Sequence, residues 1–175
     1  IPSMRNAVSK LKMGGVVKVL LRFAEPFWEK AVDENVNFMH AFGEAIPTWW
    51  TSLAIRAPVL TGWAGGPAAQ RLSQQSPEEI LEQSLKILAK ITRSSRCKSL
   101  LRAWKVCDWQ NDPFSRGAYS YGGVGGADAA AQLAKPIEQT IFFAGEATHP
   151  GMSGTVAGAI ASGHRAAAEI GKMTR

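Results

Sequence analysis

The sequence predicts an α/β protein whose first part has α+β character. Three observations lead there. Residues 16–23 (VVKVLLRF) and 141–144 (IFFA) are short apolar runs rich in β-branched and aromatic residues, as buried strands require. Residues 77–92 carry Ile80, Leu81, Leu85, Leu88 and Ile91 at helical spacing. The end of the chain reads strand, Gly145-Glu146, a loop with Pro150, Gly151 and Gly154, and then a long small-residue helix over residues 155–170.

The totals suit such a fold. The chain has 175 residues, 46% hydrophobic and 19% charged, enough to bury a core without a disordered composition. Its net charge of +6 raises nucleic-acid binding. The basic residues are scattered, however, and the densest group is only Arg93, Arg96, Lys98, Arg102 and Lys105, so that class is not favoured. Cys97 and Cys107 show neither metal spacing nor a disulfide framework, which favours a reducing, intracellular and cytoplasmic setting. No run of about 20 apolar residues predicts a membrane span. Ile1 reads as an internal start without a signal peptide, and residues 171–175 (GKMTR) carry no tail anchor.

In chain order, Gly14-Gly15 precedes the first strand and Pro26 ends it. Lys18 lies inside this apolar strand. Burying its ammonium is costly unless something uses it; the alternative is the solvent side of an edge strand. Residues 35–55 predict two short strands around Pro47, with Phe38, Phe42, Trp49 and Trp50 either lining a cavity or filling the core. Residues 58–63 predict a further strand, and residues 64–69 a glycine-rich turn. Ser76-Pro77-Glu78-Glu79 is a capping-box start for the helix at 77–92, which is scaffold. Residues 100–109 predict a returning strand, and residues 128–133 a short helix broken by Lys135-Pro136.

Gly122-Gly123-Val124-Gly125-Gly126 invites a dinucleotide-binding reading but fails it, because Asp128 stands where the third glycine belongs. The C-terminal arrangement is better suited to a polar cofactor. A helix start offers unpaired N–H groups and partial positive charge. Glu146 at the strand end can accept hydrogen bonds from sugar hydroxyls, although it could equally be solvated or pair with Arg165.

Three stretches carry a resemblance. FFAGEATHPGMSGTVAGAIASGHRAA, W-x-x-D-P-F-x-x-G-x-Y-S-Y and MGGVVKVLLRFAEPFWE together resemble the C-terminal two-fifths of flavin-dependent amine oxidases. That family includes monoamine, polyamine and L-amino-acid oxidases and lysine-specific demethylases. The resemblance implies part of an FAD-binding Rossmann-like fold plus a mixed-sheet substrate domain. Residues 1–110 would be the substrate portion and residues 111–175 the flavin portion, with a strand at 140–144.

It also implies roles. Lys18 matches the lysine that holds a water against the flavin N5 atom. Trp109, Phe114, Tyr119 and Tyr121 match pocket aromatics, whose faces attract a cationic amine and exclude water; the alternative is a turn with aromatic packing. Gly145, Glu146 and Gly154 match the cofactor-binding turn, and Thr155 and Val156 the residues whose backbone faces the flavin N1–O2 edge. No tyrosine stands near Thr155, which points away from true monoamine oxidases and towards polyamine, demethylase-like or bacterial branches. Gly117-Ala118 lacks the cysteine of a covalent flavin link, so FAD is expected to be noncovalent. His149 is expected to be a loop residue, since the family needs no general base.

The resemblance implies a partial site, because the family's N-terminal G-x-G-x-x-G segment has no counterpart among these residues. The chain alone is then expected to bind FAD weakly or not at all and to be inactive, with the N-terminal portion or a partner chain completing it. The parent reaction takes an amine, O2 and water to an aldehyde or keto acid, ammonia or a smaller amine, and H2O2. A different class remains open: a noncatalytic module that self-associates through the exposed edge of the strand at 140–144.

Overall fold

The computed structural model describes residues 2–173. The expectations at Ile1 and at the last two residues lie outside them. In chain order the elements are α1 (Pro2–Lys10), β1 (Leu11–Gly14), β2 (Val16–Phe23), α2 (Phe27–Ala31), β3 (Phe38–His40), β4 (Thr48–Thr51), β5 (Val59–Gly65), α3 (Gly66–Leu72), α4 (Pro77–Thr92), α5 (Cys97–Leu100), β6 (Leu101–Asp108), β7 (Tyr119–Gly122), α6 (Ala129–Leu133), a 3-10 turn (Glu146–Thr148) and α7 (Val156–Met173). Two compact units share these elements. One comprises residues 15–116; the other joins residues 1–14 to residues 117–175. Residues 1–14 thus group with the C-terminal segment.

The 15–116 unit is built on a five-stranded sheet in the order β3-β4-β5-β2-β6. All its pairings are antiparallel, where a mixed sheet was expected. The connections from β3 to β4 and from β4 to β5 are short, as antiparallel neighbours allow, whereas β2 meets β5 and β6 only after long excursions of the chain. β2 is an interior strand, paired on both sides: Val17, Val19, Leu21 and Phe23 are buried on one face, while Lys18, Leu20 and Arg22 face the other way together with the buried Val16. The buried face meets Trp49, Leu60, Ile80, Leu85 and Leu88 in one core. Gly62 matters here, because a Cβ at that position would stand 2.7 Å from the Trp49 ring. The missing side chain lets the indole lie flat against β5, and the Trp49 Nε1–H donates to the Ile46 carbonyl at 3.0 Å. Phe23, Phe27 and Trp28 pack edge to face, with ring centroids 5.0–5.9 Å apart.

α4 begins as expected. The Ser76 hydroxyl accepts from the Glu79 N–H, and the Glu79 carboxylate accepts from the Ser76 N–H at 2.8 Å. Residues 64–69 are not a turn. β5 runs on to Gly65 and α3 starts at Gly66, with Pro67 in its first turn. A proline there loses no intrahelical bond, so Gly-Gly-Pro starts a helix rather than closing a loop. The densest basic group is dispersed: Arg96 pairs with Glu25 at 2.9 Å and Lys98 with Glu82 at 2.8 Å.

The other unit is thinner. β1 pairs antiparallel with β7, α1 packs on α6, and α7 packs on the 3-10 turn. Residues 140–144 form no strand among the described residues; they contribute one antiparallel bridge, Ile137 to Ile141. The run has strand composition, but no described segment lies alongside to pair with it. The Phe143 carbonyl accepts instead from the Arg165 guanidinium at 2.6 Å. α7 begins one residue later than expected, with Thr155 as its cap, and extends to Met173.

Candidate functional site

Glu146 is the hub of the C-terminal unit. Gly145 before it has φ +133°, a conformation open to glycine, and its N–H donates to the Ser162 hydroxyl on α7 at 2.8 Å. This turn aims the Glu146 carboxylate at two segments. Oε1 accepts from the Ser120 N–H at 2.8 Å. Oε2 accepts from the Ser120 hydroxyl at 2.8 Å and the Gly154 N–H at 2.5 Å. Partial burial pushes this carboxyl up, but the Gly154 amide and the Ser120 hydroxyl and amide together hold it below the ordinary glutamate range. The group is therefore an ionised clasp at neutral pH. It does not pair with Arg165, which binds Glu169 at 3.0 Å and donates to the carbonyls of Ala134 and Phe143.

The clasp positions the start of α7. Gly154 has φ +73° and turns the chain into the helix beside the Tyr119 ring. The Thr155 hydroxyl caps the helix by accepting from the Gly158 N–H at 2.9 Å, and donates to the Met152 carbonyl at 2.7 Å. The N–H groups of Val156 and Ala157 have no intrahelical acceptor. Both residues are exposed, Val156 by 78%. Gly154 before the helix and Gly158 and Gly163 within it differ. A Cβ at Gly158 would overlap the Met152 carbonyl, one at Gly154 would make ordinary contact with Tyr119, and one at Gly163 would meet nothing. His149 braces the same loop, its Nδ1 accepting from the N–H groups of Gly151 and Met152.

Tyr119 and Tyr121 flank Ser120 on β7. Strand alternation turns Ser120 inward to Glu146 and both rings outward, 37% and 51% exposed. Sequence reading singled out the tyrosines and missed the serine between them, although period-two alternation alone marks Ser120 as facing the other way. It also missed Ser162, which lies on α7 and has no local signal.

In the 15–116 unit, Lys18 is half-buried on β2, which has a strand on either side, so the edge-strand alternative does not hold. Its Nζ lies 5.7 Å from the Trp50 ring centroid. Trp109 follows β6; its N–H donates to the Val16 carbonyl at 3.2 Å, and its side chain is 40% exposed. Phe114 is 95% exposed, at the tip of a turn whose Asp112 carboxylate accepts from the N–H groups of Phe114 and Ser115. Those bonds hold the Asp112 carboxyl below its ordinary range. The structure thus brings Glu146, Gly154 and Tyr119 together in one unit, and Lys18 to Trp50 in the other.

These features fit one end of a flavin. Free helix N–H groups and two glycines at positive φ leave the backbone open to a flat polar edge, and nothing occupies the space where a Cβ of Gly145 or Gly163 would stand. Among the described residues there is no group of His, Cys, Asp and Glu able to hold a metal ion, and no helix long and apolar enough to cross a membrane.

Residues 2–171 match the family model of the flavin containing amine oxidoreductases. Lysine-specific histone demethylase 1 homolog 3 of Arabidopsis thaliana is 32% identical over 97% of this chain. The human peroxisomal N(1)-acetyl-spermine/spermidine oxidase is 32% identical over 93% of it. The flavin-containing amine oxidase B of Cavia porcellus is 27% identical over 97%. The chain spans only 11%, 36% and 33% of these relatives' own lengths. With nearly all its described residues matched, the chain belongs to the flavin-containing amine oxidoreductase family.

Proposed function

We propose that this chain provides the substrate-domain sheet and the C-terminal flavin-contacting segment of a noncovalent FAD-dependent amine oxidase. Its reaction is oxidative deamination of an amine with O2, giving an aldehyde or keto acid, ammonia or a smaller amine, and H2O2. A flavin bound there would supply the redox chemistry, as acceptor of a hydride equivalent from a neutral amine. The protein's part is orientation and electrostatics. Glu146 fixes the turn at Gly154, and Thr155 and Val156 present the start of α7 to the flavin N1–O2 edge, where N–H groups stabilise negative charge. Lys18 offers ammonium donors to a water beside N5. Trp109, Phe114, Tyr119 and Tyr121 supply aromatic faces to an amine and keep water away.

The observation that carries this reading is the Glu146 clasp on Ser120 and Gly154, which holds a helix start with unused N–H groups. The test is a fluorescence titration of the chain with riboflavin, with ADP as competitor. Weak saturable quenching is expected, insensitive to ADP, because no pyrophosphate-binding glycine motif is present in these residues. Val156→Pro deletes one N–H at a helix position that tolerates proline, and should weaken quenching while leaving the fold intact. Quenching that ADP abolishes, or that V156P leaves unchanged, would count against the reading. With FAD and amine, the chain alone should release no peroxide.

One observation favours a second reading, a noncatalytic interaction module. Val156, Ile160 and Ile170 are exposed by 78%, 58% and 44% on the same helix. Concentration-dependent sedimentation with no flavin binding would support it.

A further inference from the structure

The open face of the five-stranded sheet carries three cations, Lys18, Arg22 and Lys105, and no carboxylate among its strand residues. Lys18 makes no ion pair and no hydrogen bond among the described residues; its Nζ lies 5.7 Å from the Trp50 ring centroid, within cation–π range, and its register partner on β5 is Trp63. Lys18 and Trp50 lie on different strands. Trp50 on β4 pairs with Thr61 on β5, which pairs with Leu20 on β2, one same-face position from Lys18. The lysine therefore reaches across β5. Thr61 lies between Leu20 and Trp50 and is only 9% exposed, as a residue roofed by larger neighbours is. Trp50 is braced from its far side by its register partner Phe38, with ring centroids 6.2 Å apart at 47°.

We infer that Trp50 is the positioning residue for Lys18. This rests on the proposed flavin-side role of Lys18 and adds how its ammonium is held. A carboxylate would fix the ammonium by consuming one or two of its N–H donors. An aromatic face attracts the charge and consumes none, so all three donors stay available for water. A flexible four-carbon side chain is thereby steered to one side of the strand and remains chemically unused.

The test is NMR of the whole chain with 13C-labelled lysine and no flavin, with Lys18→Arg identifying the resonance. A methylene beside an indole face is shielded by the ring current. The Lys18 ε-protons should therefore resonate upfield of the other lysines. Trp50→Leu should return them to the common envelope, and Trp50→Phe should keep part of the shift, with backbone amides otherwise unchanged. A wild-type Lys18 signal already inside the envelope overturns the inference, as does a shift that survives W50L. Should W50L fail to fold, the wild-type position and W50F still decide. Flavin titration of the wild type is read separately, so loss of the flavin reading and loss of the Trp50 contact are distinguishable.

Discussion

The two units solve the same problem by opposite means. The 15–116 unit buries large side chains: Trp28, Trp49, Leu21, Ile46, Leu60 and Leu88 are all nearly inaccessible. Among the described residues of the other unit the buried hydrophobic ones are Ala7, Ala129, Ala130 and Ala166, while Val156, Ile160, Ile141 and Tyr121 are exposed. What ties that unit together is polar: the Glu146 clasp, the Arg165 guanidinium on two carbonyls, and the Ser162 hydroxyl on the Gly145 N–H. Apolar burial scales with area and tolerates small shifts, whereas a hydrogen-bonded clasp fails when one partner is lost. The candidate flavin-contacting backbone therefore sits on the unit with the weaker core.

The largest expected effect tests the first half of that contrast. Trp49→Ala empties a fully buried site against Gly62 and should cost about 3–5 kcal/mol. Urea unfolding monitored by β2 amide exchange measures it. A loss below about 1 kcal/mol would mean that the core closes around the gap.

Next comes the clasp. Glu146→Gln keeps the size of the side chain but replaces one acceptor oxygen with a donor, so it cannot serve Ser120 and Gly154 as before. Each stranded donor costs about 1–3 kcal/mol. Exchange should accelerate at the amides of Ser120 and Gly154 while β2 amides stay protected. Equal acceleration in both units would remove the distinction between them.

These two sites also differ in how far the sequence revealed them. The β2 core was legible because alternation and β-branching are local signals, and the capping box at Ser76 was legible for the same reason. Glu146 was singled out by its place after an apolar run and before a glycine loop, but its partners were not. Ser120 is 26 positions away, and only the tertiary fold brings it within 2.8 Å. Trp50 over Lys18 needed the register of three strands. The run at residues 141–144 misled for the converse reason: strand composition is local, but a strand exists only with a partner. Gly-Gly-Pro misled because the same residues end one element and begin another.

A smaller effect follows from titration. Glu146 has its carboxyl lowered in the folded state, so its contribution is present above the ordinary glutamate value of 4.5 and is lost as pH falls through the lower folded value. Glu79, Glu82 and Asp112 in the 15–116 unit are also lowered, but they act at an exposed cap, an exposed ion pair and an exposed turn. Acid should therefore release the Gly154 amide before the β2 amides. Exchange measured as the pH is lowered through the range below the ordinary glutamate value of 4.5 reads the order. Release of β2 first would place the acid-sensitive carboxylates in the other unit.

The smallest effect is expected at Ile160. This residue is 58% exposed on α7, so Ile160→Ser should change stability by no more than about 0.5 kcal/mol, although it removes a large apolar side chain. In the 15–116 unit a comparable truncation at Leu88 should cost about 2–5 kcal/mol, because that side chain is fully buried. The contrast sharpens if sedimentation is measured on the same variant. Unchanged stability with reduced self-association would make the apolar side of α7 a surface that a covering segment or a second copy shields. Unchanged sedimentation would leave the exposed residues without a partner under these conditions. A large stability loss at Ile160 would mean that the thin unit has an apolar core after all, and would return the Glu146 clasp to a secondary role.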